Sequence, residues 1–147
     1  MASPDEKLVS HLNNLIIVCN DARDGYSIAA KNAKSEKLKS FLSACSADRW
    51  EFLNLLKHEV RRAGGNPEKK GGTLGRLHRT WIDVKTALTA NDDVTVLNAC
   101  LTGERAALNA YNEVLEKALL PADTRRQVSS QRIQIGESIK KIEKLLQ

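Results

Sequence analysis

Aromatic side chains are scarce in this 147-residue chain, where two Trp, two Tyr and two Phe make up 4% of the residues. A core assembled from it must be mainly aliphatic. No run of 18 or more apolar residues occurs, so no segment reads as a membrane span, and MASPDEK is too acidic at its start for a secretory leader. The expectation is a soluble, cytoplasmic protein. Three cysteines, Cys19, Cys45 and Cys100, form an odd set without CxxC spacing, which argues against a disulfide framework or a zinc site. They read as reduced core residues. No stretch alternates apolar and polar residues long enough for a sheet, and there is no P-loop, no GxGxxG and no supported pair of nucleophile and base. No catalytic residue is assigned. The length suits one domain, residues 1–147, with a core that needs no staple.

The net charge of +5 is concentrated. Residues 1–56 and 86–147 each balance, whereas residues 57–85 carry eight basic side chains against three acidic ones. Arg61, Arg62, Lys69, Lys70, Arg76 and Arg79 form an expected patch able to attract an anionic partner over roughly a Debye length of 8 Å. Solvation of a loop explains the same charges more simply. Nucleic acid is disfavoured as the partner, because the patch lacks interleaved aromatics other than Trp81, which reads as a packing anchor.

Helical periodicity organises the chain. Ser3-Pro4-Asp5-Glu6 reads as a capping box opening helix 1, which runs to about Ala33 with Leu8, Leu12, Leu15, Cys19, Ala22, Tyr26, Ala29 and Ala33 at alternating +4 and +3 steps. Ser35 caps helix 2, whose stripe is Leu38, Phe41, Leu42, Cys45, Phe52, Leu55, Leu56 and Val60, ending at Gly64-Gly65. The following GGNPEKKGG and TLGRLHRTWIDVKTALT segments form a long crossover, with a short amphipathic helix on Leu74, Leu77, Trp81, Val84 and Leu88. Asn91-Asp92-Asp93 opens helix 3, on Leu97, Leu101, Glu104, Leu108, Tyr111, Leu115 and Ala118. Pro121 and Asp123 open helix 4, with Val128, Gln131, Ile135, Ile139, Ile142 and Leu146 inward. Two helical hairpins joined by so long a connection give an all-α crossover bundle rather than a simple up-and-down one.

Crossover bundles include di-metal carboxylate proteins, which need Glu-x-x-His on two helices. Here the residues three places before His11, His58 and His78 are Leu8, Leu55 and Gly75. That ligand set is missing. Among the acids, only Asp48 and Glu104 read as inward, while Asp21 and Asp24 fall on the outer face of helix 1 and Glu51 and Glu137 lie off the seam. An inward carboxylate needs compensation, and Arg23, Arg49, Tyr26, Tyr111 and Gln131 are its expected partners in a buried polar cluster. The alternative is a degenerate iron or manganese site centred on Glu104 and Asp48. Gly25, Gly103 and Gly136 lie at the same height, where each costs about 1 kcal/mol of helix propensity, and are expected to permit close helix approach.

Several motifs together carry a resemblance. Cys19-x6-Tyr26 with Asp24-Gly25-Tyr26, Glu59-Val60-Arg61-Arg62-x-Gly64-Gly65-x-Pro67, His78-Arg79-x-Trp81, and Cys100-x2-Gly103-Glu104 with Tyr111 are similar to a bacterial family of ferritin-like four-helix-bundle proteins known only as a domain of unknown function. The similarity runs from about Leu12 to Leu146. It implies the ferritin-like fold and no established activity, substrate or cofactor; roles in stress or iron handling belong to the wider superfamily. The chain departs from similar members at Arg23, where they often have an acid or glutamine, and near Ile139, where they often have a histidine. Both departures remove ligands. The function expected is a non-enzymatic interaction or structural module without cofactor, self-associating as a homo-oligomer, with a dimer favoured; a stress-associated role rests on analogy of fold alone.

Overall fold

The computed structural model describes residues 5–67, 83–90 and 92–147. Four long helices carry the fold: α1 Glu6–Asn32, α2 Glu36–Arg62, α3 Asp93–Lys117 and α4 Ala122–Leu145. Among the described residues there is no strand. At 27 residues each, α1 and α2 are roughly 40 Å long.

Local chemistry sets the ends. Asp5, rather than Ser3, caps α1, its carboxylate accepting from the Leu8 N–H at 3.1 Å. Residues 1–4, with the expected cap Ser3 and Pro4, lie outside the described part. Ser35 caps α2 through the Leu38 N–H, and Asp92 caps α3 by accepting from the Val94 and Thr95 N–H groups. Pro121 precedes α4 and supplies no side-chain cap. The end of α2 is a Schellman motif: Gly64 takes φ 85°, its N–H donates to the Arg61 carbonyl, and the Gly65 N–H donates to that of Val60. The two glycines have different reasons. Gly64 supplies the left-handed backbone, whereas a Cβ on Gly65 would stand 2.5 Å from a Val9 methyl of α1.

The helices form a ring in which α1 packs against α2 and α3, and α4 packs against α3 and α2. Asp93, at the start of α3, accepts from the Lys34 and Ser35 N–H groups in the α1–α2 turn, at 2.8 and 3.3 Å. That places the start of α3 beside the end of α1. The directions are therefore up, down, down, up, and the connection from α2 to α3 makes the return from one end of the bundle to the other. Residues 83–87 of that return are helical. Val84 and Leu88 are buried, and Lys85 pairs with Asp21 and Asp24 on α1 at 3.4 and 3.9 Å. The expected anchors Leu74, Leu77 and Trp81 lie outside the described residues.

All eight expected stripe residues of α1 are buried. In α3 the centre of the seam runs through Ala107 and Val114, with Leu108 and Leu115 only half-buried. Leu12, Leu15, Leu42 and Leu56 are fully buried, each side chain contributing about 1.5–3 kcal/mol by leaving water. The outer-face reading of Asp21 is corrected: Asp21 is buried and pairs with Lys85 of the crossover. Gly136 is corrected as well, since a Cβ there would meet nothing within 4 Å. It permits no close helix approach.

Candidate functional site

The seam of α2 runs from Cys45 through Arg49 to Phe52, steps of +4 and +3 that bring Arg49 to the middle of the bundle. Arg49 is 1% exposed and Glu104, on α3, is fully buried. The Arg49 guanidinium donates to the Glu104 carboxylate, forming an ion pair across the diagonal of the helix ring. Two rings flank the same guanidinium, with Phe52 at 4.8 Å and Tyr26 at 5.7 Å from its carbon. Aromatic faces attract a desolvated cation and make up part of its lost hydration. Burial pushes the Glu104 carboxyl above its ordinary range, against Arg49 and the Tyr26 hydroxyl, which favour the ionised form. For Arg49, burial opposes the charge, yet Glu104 outweighs it and drives the pKa upward.

Saturation of this layer is incomplete. The Tyr26 hydroxyl lies near enough to favour ionised Glu104 but makes no well-formed hydrogen bond. Among the described residues, Arg49 Nε and Glu104 Oε1 also lack partners.

A second polar layer lies about two turns away, since Cys19 precedes Tyr26 and Tyr111 follows Glu104 by one heptad each. Its proton directions follow from valence. The Phe52 carbonyl can only accept, so the Gln131 amide presents Nε2 to it at 3.3 Å, leaving Oε1 to accept from the Tyr111 hydroxyl at 2.6 Å. Tyr111 has one proton. Cys19 must therefore donate its thiol proton to Tyr111 Oη, 3.1 Å away. The chain Cys19, Tyr111, Gln131, Phe52 touches all four helices and pins their register. Burial pushes the Cys19 thiol up to about 11 and Cys45 up to about 12, and raises Cys100 further. All three cysteines are free and buried. As weakly ionised thiols they make poor nucleophiles and poor metal ligands.

The expected cluster is thus brought together in part. Arg49, Tyr26, Tyr111, Gln131 and Glu104 occupy these two layers. Arg23 does not: one position off the α1 seam, it lies half-buried over the Trp50 ring at 5.0 Å and pairs with Asp24. Asp48 is corrected outright. It is exposed, because the helical step that carries Arg49 inward turns its neighbour outward. Glu51 and Glu137 are exposed too.

These residues do not fit a metal. The carboxylate that would lead the ligand set is paired to a guanidinium, its expected partner Asp48 faces outward, and the nearby thiols hold their protons. Among the described residues, no group of three or more His, Cys, Asp or Glu side chains is arranged to hold an ion.

A buried acid that the periodicity did not single out is Glu59. It is 4% exposed, accepts from Thr124 Oγ1 of α4 at 2.7 Å and pairs with Arg62 at 3.2 Å. Its place on the α2 seam, three after Leu56 and seven after Phe52, is the signal in the sequence. Of the expected anion patch, Arg61 and Arg62 are exposed, whereas Lys69, Lys70, Arg76 and Arg79 lie outside the described residues. No helix among the described residues is long and apolar enough to cross a membrane.

The pattern of the family described as Domain of unknown function (DUF2383) matches residues 7–117. That is about three quarters of the chain, and the chain belongs to this family. No curated protein matches it.

Proposed function

We propose that this DUF2383 member is a ferritin-like four-helix bundle working as a non-enzymatic interaction or structural module, with its interior closed by its own side chains. The up, down, down, up order of helices and the return segment along α1 support the ferritin-like reading. The observation that carries the functional one is the Arg49–Glu104 pair. In a di-metal bundle the central carboxylates hold cations from solution; here the cation is covalently part of α2. A fixed guanidinium cannot exchange, change oxidation state or activate water. What remains is a rigid scaffold whose outer surfaces do the work, self-associating as a homo-oligomer, a dimer, in the cytoplasm.

Elemental analysis of protein purified without chelators tests the reading. Well under one equivalent of iron, manganese or zinc per chain is expected. Stoichiometric metal that disappears in Glu104→Ala would overturn it.

A further inference from the structure

At one end of the bundle the first turns of α2 and α3 and the last turn of α4 diverge around an open groove of about 640 Å³. Its apolar surface comes from Leu38, Phe41, Val94, Leu97 and Leu145. Leu38 and Leu97 belong to the core, while Val94 and Leu145 stand 57% and 41% exposed. The polar lining is almost all of one sign: Lys37, Lys141 and Lys144 surround the groove. The three lysines are exposed, and no ion pair among the described residues engages them. Asp93 is the one carboxylate in the lining, and both its oxygens are taken by the Lys34 and Ser35 N–H groups.

We infer that this groove binds a free fatty acid, its alkyl chain on the apolar floor and its carboxylate among the three lysines. The charge pattern requires an anionic head, and the floor requires an uncharged chain. Size selects a small amphiphile over a helical peptide. The volume falls in the range of small-molecule sites, roughly 300–1,000 Å³. Each helix contributes one turn, since Leu38 to Phe41 and Val94 to Leu97 each advance about 4.5 Å. A rigid amphipathic helix anchored at i, i+4 and i+7 needs more than twice that length in a straight line, whereas a flexible alkyl chain can bend across the three helices that line the groove.

Dodecanoate, kept below its micellar concentration, is the probe for calorimetry and for methyl NMR of the full chain. Saturable one-to-one binding is expected, with shifts confined to the methyls of Leu38, Val94, Leu97 and Leu145. The triple variant Lys37→Glu, Lys141→Glu, Lys144→Glu, altered only at exposed positions, should bind at least roughly tenfold more weakly, about 1.4 kcal/mol. Butanoate should not bind. Failure of dodecanoate to bind at millimolar concentration overturns the assignment, as does equal affinity in the triple variant or for an uncharged dodecyl amphiphile. Concentration-dependent shifts of the same methyls without ligand would give the groove to a second copy of the chain, and would overturn it too.

Discussion

Arg49 and Glu104 join two helices, α2 and α3, that otherwise stand on opposite corners of the ring without direct backbone packing. An ion pair in that position is a spacer as much as an attraction. Taking two charges out of water costs several kcal/mol per ion, which the pair and its flanking rings offset without a large surplus. The pair therefore specifies how far apart α2 and α3 sit and in which register, and it makes the loss of either member far more costly than the loss of both.

Burial of Glu104, which outweighs the pull of Arg49, also sets a pH dependence. Burial raises the folded Glu104 pKa above the unfolded value of about 4.3. Its contribution to stability is therefore full below the unfolded pKa and is lost as pH rises through the raised folded one. Against Glu104→Gln, which cannot titrate, the parent protein should gain stability on going from pH 7 to pH 4. Urea unfolding of both proteins at constant ionic strength measures the difference, and a parent that loses ground on acidification contradicts this account.

The two buried tyrosines should behave differently. Tyr111→Phe removes a hydroxyl that donates to Gln131 and accepts from Cys19, leaving two buried groups unpaired, at about 1–3 kcal/mol. Tyr26→Phe removes a hydroxyl without a well-formed hydrogen bond, and should cost under about 1 kcal/mol. Denaturant midpoints at equal slope would decide, with a Tyr26→Phe cost equal to that of Tyr111→Phe counting against the layer described.

Glycine substitutions separate packing from propensity. Gly65→Ala forces a methyl against Val9 and should destabilise by about 1–3 kcal/mol. Gly136→Ala fills open space on α4 and should stabilise by about 0.5–1 kcal/mol. Thermal unfolding of the two variants gives opposite shifts if the contacts are as described.

The cysteines should be silent in the folded protein. With Cys19 and Cys45 pushed up to about 11 and about 12, a thiol-disulfide reagent at pH 8 should label none rapidly and all three after unfolding. Rapid labelling of any one in native protein would place it elsewhere.

Legibility in the sequence followed locality. The α1 stripe was readable residue by residue, because spacing alone decides which side of a helix faces a core. The same rule puts Arg49 on the α2 seam, four after Cys45 and three before Phe52, and turns Asp48 outward, although the expected stripe passes from Cys45 to Phe52 and takes Asp48 as inward. The expected α3 stripe takes the larger Leu108 and Leu115, whereas close helix packing favours the smaller Ala107 and Val114 at the centre. Asp21 is not readable from its own helix, and Glu59 is marked only by its place on the α2 seam, three after Leu56. Their burial depends on Lys85, 64 residues away, and Thr124, 65 residues away.

A double-mutant cycle on Arg49→Met and Glu104→Leu, followed by urea unfolding, tests most directly the claim that the interior is closed by this pair. Each single variant should cost about 3–5 kcal/mol by stranding a buried charge. The double variant should cost far less than their sum, with a coupling of at least about 2 kcal/mol. Additivity to within about 0.5 kcal/mol would contradict the account.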